Sequence, residues 1–221
     1  MYKTIIFDLD GTLLDTLDDL TNATNAALGA FELPLRTREE VRSFVGNGIG
    51  KLIERALGVR TELFDEALTE FKRYYGEHCA DKTKPYAGIL PILVELKKLG
   101  VKTAVLSNKA DFAVKKLAKE YFDGLLLSAV GENEAAGIRK KPAPDALFAV
   151  MKELDASAET TLYVGDSEVD IQTAKNAGLD CLCVTWGFRD RAFLEAQGGK
   201  LFVDDPIELL SYCTQTKGVC I

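Results

Sequence analysis

The sequence predicts an α/β fold, a doubly wound parallel sheet that carries an inserted all-helical segment. Three observations lead to this class. An apolar run at residues 2–8 suits a strand that is buried on both faces of a parallel sheet. Residues 16–80 then show helical spacing of apolar side chains and no strand-like run. From residue 81 onward strand-like runs alternate with amphipathic helices, which is the pattern of βαβ units.

The first part of the chain is predicted to hold one strand and three helices. Apolar residues from Leu17 to Phe31 recur at helical spacing, and "IGKLIERAL" repeats that pattern. A third helix covers residues 63–75. We therefore predict that residues 1–15 and 81–221 form the sheet domain, and that 16–80 are inserted after its first strand.

The remaining elements alternate along the chain. Gly100 gives a stop signal for the first helix of this part, and prolines precede a later one. Ligands of such sheets bind beyond the carboxyl ends of the strands, so functional residues are expected directly after strands. The predicted helices are 89–99, 111–121, 143–154 and 168–178, and the strands are 101–107, 124–130, 160–166, 181–186 and 201–203.

Composition narrows the class of function. With 221 residues and a net charge of −7, the chain has no basic stripe that would bind nucleic acid. No apolar stretch approaches the ~20 residues that cross a bilayer, and acidic residues near the N-terminus are unlike a signal peptide. Its five cysteines lack paired metal spacing and suit reduced core thiols. We expect a cytoplasmic protein that acts on a small molecule, without nucleic acid or membrane.

Polar side chains follow several of the predicted strands, where a parallel sheet would bring them to one edge. Two of them, in "FDLDG", are carboxylates separated by a single leucine, and such a pair repels itself unless it has a partner. Four carboxylates in all suit a hard divalent cation, and we expect Mg²⁺. The residues are Asp8 and Asp10, Ser107 and Asn108, Asp166 and Asp170, with Lys140 and Lys141 at the start of a helix.

A cation, a lysine and a hydroxyl around one point also describe a site for a phosphoryl group. The cations offset the phosphate charge, and the hydroxyl and amide groups donate hydrogen bonds to its oxygens. One carboxylate can attack phosphorus to form an aspartyl phosphate, and a second carboxylate can deliver a proton and then activate water. Gly11 allows a sharp turn after the strand, and Thr12 can hold that turn in place. Thr12 is also expected to bind substrate, together with Ser107 and Asn108.

In this order and spacing, "DLDGTLLDT", "SNK", "KKPAPD" and "GDSEVD" resemble the four motifs of the haloacid dehalogenase-like hydrolases. The resemblance covers nearly the whole chain. It implies a Rossmann-like core, and the helical insert after the first motif resembles the helical cap of that superfamily.

The resemblance also implies a division of roles. The first aspartate of the family motif is nucleophile and metal ligand, here Asp8. The second is the general acid and base and offers its backbone carbonyl to Mg²⁺, here Asp10. The serine of the second motif binds the transferring phosphoryl group, which corresponds to Ser107 with Asn108 beside it. The lysine of the third motif precedes a proline, and this selects Lys141.

In the fourth motif the resemblance makes Asp166 a direct metal ligand, and Asp170 an acid that holds the metal or its waters. Family members that release halide lack an acid two residues after the nucleophile, so Asp10 argues against dehalogenation. Similar phosphosugar mutases often carry valine where this chain has Thr12, and threonine there is commoner among phosphatases.

The segment "VRSFVGNGIGKLIERAL" resembles the cap of phosphoglycolate phosphatase-like proteins. Gly46, Asn47 and Gly48 precede a helix and can form a backbone nest for an anion. Lys51 and Arg55 lie four residues apart and could meet a substrate carboxylate. A solvated helix face with a glycine-rich N-terminus explains the same residues equally well.

The predicted function is a Mg²⁺-dependent phosphatase that hydrolyses a small phosphorylated metabolite, with 2-phosphoglycolate as the leading substrate. Alternatives on the same scaffold are an inorganic pyrophosphatase, a nucleotidase or a phosphosugar mutase. A non-catalytic phospho-ligand-binding module is a further alternative, although none of the expected acids is missing. A monomer or a homodimer is expected, and the sequence leaves open whether Arg55 or Arg189 contacts substrate.

Overall fold

The computed structural model describes residues 1–133 and 137–214, with side chains up to residue 212. Its centre is a six-stranded parallel sheet in the order β5-β4-β1-β6-β7-β8, and β2 and β3 form a separate antiparallel ribbon. The strands are β1 (Thr4–Phe7), β2 (Leu14–Asp15), β3 (Lys84–Pro85), β4 (Lys102–Ala110), β5 (Ser128–Glu132), β6 (Thr161–Gly165), β7 (Asp180–Val184) and β8 (Leu201–Val203).

Helices cover both faces of the sheet, because its strands carry apolar side chains on both faces. In β1, Ile5 and Phe7 contribute to one buried cluster and Ile6 to the other. The helices are α1 (Leu17–Gly29), α2 (Arg38–Phe44), α3 (Gly48–Leu57), α4 (Phe64–His78), α5 (Ile89–Lys98), α6 (Asp111–Phe122), α7 (Asp145–Glu153), α8 (Glu168–Ala177), α9 (Arg191–Ala196) and α10 (Pro206–Thr214). This architecture confirms the predicted α/β class with its parallel sheet.

Helices α1 to α4 follow one another between β2 and β3, within residues 16–80, called the cap below. The two connections to the sheet run antiparallel as the β2–β3 ribbon. Asp19 of α1 is buried and accepts hydrogen bonds from the Lys82 and Thr83 amides and the Thr83 hydroxyl, at 2.8 to 3.0 Å. These bonds tie the first cap helix to the segment that returns to the sheet.

Several boundaries differ from those expected. The strand predicted at 124–130 begins only at Ser128, because Gly124 has a φ of 68° in a turn where the Leu125 amide donates to the Phe122 carbonyl. The strand predicted at 101–107 is β4, which runs past Ser107 to Ala110. The sequence patterns did not single out α2, α9 or α10, which are short and lack a long apolar repeat.

Two of the cysteines, Cys79 and Cys183, are buried with free thiols, and Cys181 is partly buried. The side chains of Cys213 and Cys220 lie outside the described residues. Within 1–133 and 137–214, none of the helices combines the length and the apolar character needed to cross a bilayer.

Candidate active site

The predicted polar residues come together at the carboxyl edge of the three central strands. Asp8 directly follows β1, Ser107 lies near the end of β4, and Asp166 directly follows β6. Because β4 and β6 are the two neighbours of β1, these side chains surround the same point. The topology thus explains how residues far apart in sequence form one site.

Three buried carboxylates form the centre of this site. One oxygen from each of Asp8, Asp166 and Asp170 lies within 4.8 Å of the others. Burial raises the pKa of Asp8 to about 6; the Lys141 ammonium lowers it in part, and the neighbouring acids raise it. Burial also raises the pKa of Asp166 well above its ordinary value, and the charges of Asp170 and Asp8 add to this. Such a cluster requires compensating positive charge.

Lys141 supplies part of that charge from behind the cluster. Its ammonium lies 2.7 Å from Asp170 Oδ1, 3.0 Å from Asp8 Oδ1 and 3.0 Å from the Tyr163 hydroxyl. Burial alone would lower the pKa of Lys141, but the Asp170 and Asp8 carboxylates outweigh burial and raise it well above its ordinary value. Asn108 holds this segment, since its amide accepts from the Lys141 amide at 2.8 Å and donates to the Lys141 carbonyl at 3.0 Å.

The fourth-motif acids are held by local structure. Thr12 donates its hydroxyl to Asp166 Oδ1 at 2.9 Å, and the Phe188 amide donates to Asp166 Oδ2 at 2.7 Å. Asp170 is the third residue of α8 and accepts hydrogen bonds from the amide and hydroxyl of Ser167. Together the two residues form a capping box at the start of this helix. Thr12, expected to bind substrate, therefore orients an acid of the cluster.

A tight turn brings the first motif against Asp166. Gly11 has a φ of +84°, and a Cβ atom there would lie 2.3 Å from Asp166 Oδ2. Any side chain at this position would collide with the carboxylate and strain the backbone. The glycine is therefore required by both conformation and space.

The donor set fits a divalent cation of the Mg²⁺ type. When all four are ionised, Asp8, Asp10, Asp166 and Asp170 carry four negative charges against two positive charges on Lys109 and Lys141, a net of −2. Asp8 Oδ1 is buried and accepts no hydrogen bond from the described residues, although Lys141 lies near it. Carboxylate oxygens of this kind are ligands that hard cations prefer.

Lys109 is a site residue that the sequence argument did not select. It is the last residue of the quoted "SNK", and its ammonium lies 2.9 and 3.1 Å from the two oxygens of Asp10. Burial alone would lower the pKa of Lys109, but Asp10 and the Tyr75 hydroxyl raise it above its ordinary value. Its place at the end of β4, beside the selected Ser107 and Asn108, was the signal that could have identified it.

A cleft opens over these residues between the sheet edge and the cap. Its empty space, counted together with the open mouth, is about 560 Å³. Polar groups of the core form its floor, among them Asp8, Asp10, Ser107, Lys109 and Asp166. The cap wall is mainly apolar and consists of Leu20, Val45, Gly46, Gly48, Ile49 and Leu52.

The structure places only some of the predicted cap residues at the cleft. Gly48 lines the cleft, whereas Asn47, the residue before α3, is not among its lining residues. Lys51 is about half exposed and forms an ion pair with Glu54 at 2.7 Å. Arg55 donates to the Phe44 carbonyl at 2.7 Å on the exposed side of the cap. The structure therefore does not bring Lys51 or Arg55 to the cleft.

Two arginines connect the cap to the loop after β7 in both directions. Arg42 of α2 donates to the Gly187 and Phe188 carbonyls at 2.9 and 2.8 Å. Arg189, which lines the cleft, donates to the Arg42 and Val45 carbonyls at 3.0 and 2.8 Å and also pairs with Glu168. Because the Phe188 amide also holds Asp166, this loop contacts the cap and the acidic cluster together.

The order of the acidic motifs and this geometry can be compared with known proteins. The family described as "Haloacid dehalogenase-like hydrolase" matches residues 5–184, which include every acid and lysine of the cluster. The chain belongs to this family. The resemblance inferred from the four motifs is thereby confirmed.

Curated relatives in this family cover nearly the whole chain. A phosphoglycolate phosphatase of Pseudomonas syringae pv. syringae is 35% identical over 96% of this chain and 79% of its own length. Phosphoglycolate phosphatase 1 of Pseudomonas aeruginosa is 33% identical over 99% of this chain and 82% of its own length. The predicted likeness to phosphoglycolate phosphatases is confirmed by these relatives.

Solved structures of other proteins have the same fold. A protein of Lactobacillus delbrueckii subsp. bulgaricus, provisionally named a phosphoglycolate phosphatase, superposes with a TM-score of 0.91 at 38% identity, covering 96% of this chain and 98% of that one. CbbY of Rhodobacter sphaeroides, crystallised in complex with phosphate, gives a TM-score of 0.74 at 26% identity over 95% and 96% of the two chains.

Proposed function

We propose that this hydrolase is a Mg²⁺-dependent phosphatase that cleaves a small phosphorylated metabolite through an aspartyl-phosphate intermediate, with 2-phosphoglycolate as the leading substrate. The observation that carries the proposal is the paired Asp8 and Asp10 on the cleft floor, each in contact with a lysine. The names of the curated relatives support the same reaction and substrate.

In the first step an Asp8 oxygen forms a bond to phosphorus while the bond from phosphorus to the leaving oxygen breaks. The Asp10 carboxyl gives its proton to that oxygen, so the product leaves as an alcohol. In the second step water attacks phosphorus and loses a proton to Asp10. This releases inorganic phosphate and restores the Asp8 carboxylate.

The residues on the cleft floor support binding of a phosphoryl group. Ser107 lines the cleft and offers a hydroxyl as donor, while Lys109, whose ammonium is occupied by Asp10 and Tyr75, adds positive charge to the floor. The Lys141 ammonium contacts Asp8 and balances charge beside the attacking oxygen. Asn108 faces the cleft as well, but its amide holds Lys141 and the Gly46 carbonyl, which suits a positioning role.

Asp8, Asp166 and Asp170 would hold the cation, together with the Asp10 backbone carbonyl that the family resemblance implies. When bound, the cation supplies positive charge that offsets the acids and the phosphate. We propose residues 16–80 as the cap that closes over the bound substrate and excludes bulk water.

The size and charge of the cleft favour a compact anion. Its cap wall is apolar apart from backbone groups. Arg189, from the loop after β7, is a cation that lines the cleft beside the cap. A substrate with few atoms beyond its phosphate would fill this space. The predicted carboxylate contact to Lys51 has no support from the geometry, so recognition of phosphoglycolate would rely on Arg189 and the amides before α3.

The test is phosphate release from a panel that contains 2-phosphoglycolate, pyrophosphate, nucleoside monophosphates and phosphosugars, with Mg²⁺ or with EDTA. We expect Mg²⁺-dependent release that is fastest with phosphoglycolate, and a loss of about 10³-fold or more in Asp8→Asn. Asp205→Asn changes an exposed acid on the far C-terminal segment and serves as the matched control.

The alternatives predict other outcomes. Preference for pyrophosphate, a nucleotide or a phosphosugar would retain the chemistry and reject the proposed substrate. Interconversion of phosphosugars without net phosphate release would identify a mutase. Binding of phosphate esters with no turnover would favour a non-catalytic module, and substantial activity in Asp8→Asn would reject that residue as nucleophile.

A further inference from the structure

A tyrosine of the cap reaches the catalytic edge of the sheet. Tyr75 lies on α4, its side chain is buried, and its ring stacks on Phe71 with centroids 5.3 Å apart. Its hydroxyl accepts a hydrogen bond from Lys109 Nζ at 2.5 Å. A cap side chain therefore touches a cation of the core site.

That cation has two kinds of partner. Its ammonium contacts both oxygens of Asp10 from the core and the Tyr75 hydroxyl from the cap, and it lies 4.6 Å from the centre of the Tyr75 ring. The Lys109 side chain is 1% exposed and that of Asp10 is 12% exposed. A buried ammonium needs every partner it has, because an unmet donor is costly away from water.

The hydrogen-bond network of Asp10 therefore includes, through Lys109, a side chain of α4. If α4 moves away, Lys109 loses the Tyr75 hydroxyl and the aromatic face, and water can replace them. The Lys109 side chain is then free to move, and the Asp10 carboxyl loses a partner that is held in place. With α4 in place, hydrogen bonds fix Lys109 and, through it, Asp10.

We propose that Tyr75 and Lys109 are positioning residues that make the orientation of the Asp10 carboxyl depend on the position of the cap. This inference rests on the proposed function, in which Asp10 delivers a proton to the leaving oxygen. It assigns to α4 a role in the chemistry, beyond covering the cleft.

The test compares leaving groups, since only some of them need a proton. An alkyl phosphate leaves poorly without protonation, whereas p-nitrophenyl phosphate has a leaving group that departs as its anion. In Tyr75→Phe we expect kcat/KM to fall about 10-fold for alkyl phosphates and less than about threefold for p-nitrophenyl phosphate. Tyr74→Phe removes the hydroxyl of the preceding residue, which stacks on His78, and should leave both values unchanged.

Equal losses for the two classes of substrate in Tyr75→Phe would show a purely structural role and overturn the inference, as would unchanged values. Melting temperature verifies that the variant is folded. Lys109→Met, which removes the cation but keeps much of the stem, should increase the same selective loss.

The inference and the proposed function can fail separately. A wild-type protein that hydrolyses no phosphate ester refutes the function. Crystal structures of wild type and Tyr75→Phe then test the positioning directly. If the Asp10 carboxyl and Lys109 keep the same contacts without the Tyr75 hydroxyl, the inference is overturned; displacement of both side chains supports it.

Discussion

The core and the cap contribute to the cleft in different ways. In the core, charged side chains are buried and each has several partners, as Asp170 shows with contacts to Lys141, Tyr163 and Ser167. In the cap, the charged side chains on α3 face outward, and the helix gives the cleft backbone and apolar groups instead. One wall of the cleft is thus built from charged side chains, and the other mainly from apolar side chains and backbone groups.

The core site can therefore be recognised from short sequence motifs, whereas the cap contacts cannot. Chemistry shared by the family needs charged groups at fixed places, so the core residues form short motifs. The cap needs a shape and a few contacts that hold it over the cleft. The contacts between Arg42 and the Gly187 and Phe188 carbonyls are an example, because a carbonyl partner leaves no trace in the residue type.

The largest expected effect concerns the charge of the core. Burial raises the pKa of Asp8 to about 6, above its value in the unfolded chain. Without a cation, the stability that this group contributes is fully present below pH ~4 and is lost as the pH rises through about 6. Mg²⁺ should therefore stabilise the protein more at pH 7.5 than at pH 5.

The measurement is thermal unfolding in EDTA and in excess Mg²⁺ at both pH values. At 100 times Kd a ligand adds about 2.7 kcal/mol, which corresponds to a rise of about 5–10 °C in Tm for a chain of this size. Asp8→Asn, which lacks the titrating charge, is the control for the difference between the two pH values. An equal Mg²⁺ shift at pH 5 and pH 7.5 in wild type would contradict the assignment.

A smaller effect is expected at the contact between the two regions. Arg42→Gln removes two charge-assisted hydrogen bonds from α2 to the loop after β7, so the cap should close less often. We expect kcat/KM to fall about 10-fold with little change in Tm. Arg73→Gln, which breaks an exposed pair with Glu70 inside α4, is the matched control. An unchanged kcat/KM in Arg42→Gln would show that these bonds do not hold the cap.

The smallest effect is expected on the outer face of α3. Lys51→Ala breaks only an exposed ion pair with Glu54, so kcat/KM should change by less than about twofold for any substrate. Steady-state kinetics with phosphoglycolate and with an ester that lacks a carboxylate provide the comparison. A large loss confined to phosphoglycolate would show that Lys51 turns inward to the substrate, and the contrast between the regions would then fail.

The sequence was sufficient to predict the sheet, its alternation with helices and the cluster of acids at its edge. These follow from apolar periodicity and from polar residues placed after strands, which the order β4-β1-β6 brings together. The roles of individual site residues remain predictions. Two roles of Thr12, ligand of substrate and donor to Asp166, could not be told apart from the sequence, since a hydroxyl serves either purpose.

The contacts that join the cap to the core could not be predicted. The Tyr75–Lys109 contact joins residues 34 positions apart in separate elements, and the spacing at residues 63–75 predicted only a helix. The sequence left the role of Arg189 open, and its bonds to the Arg42 and Val45 carbonyls depend on how the cap is placed. Such geometry is fixed by tertiary packing and not by local pattern.

The central position of β1 in the sheet has a consequence for how the protein is made. A ribosome releases Thr4–Phe7 well before both neighbours of this strand, which lie at Lys102–Val105 and Thr161–Val164. Pairings so distant along the chain are slow to form and leave apolar strands exposed while synthesis continues. We expect the cap helices of the nascent chain to form early and β1 to remain unpaired until β4 and β6 have been synthesised. Asp8 is thus translated before every other acid of the cluster and gains its surroundings only after Asp170 has emerged.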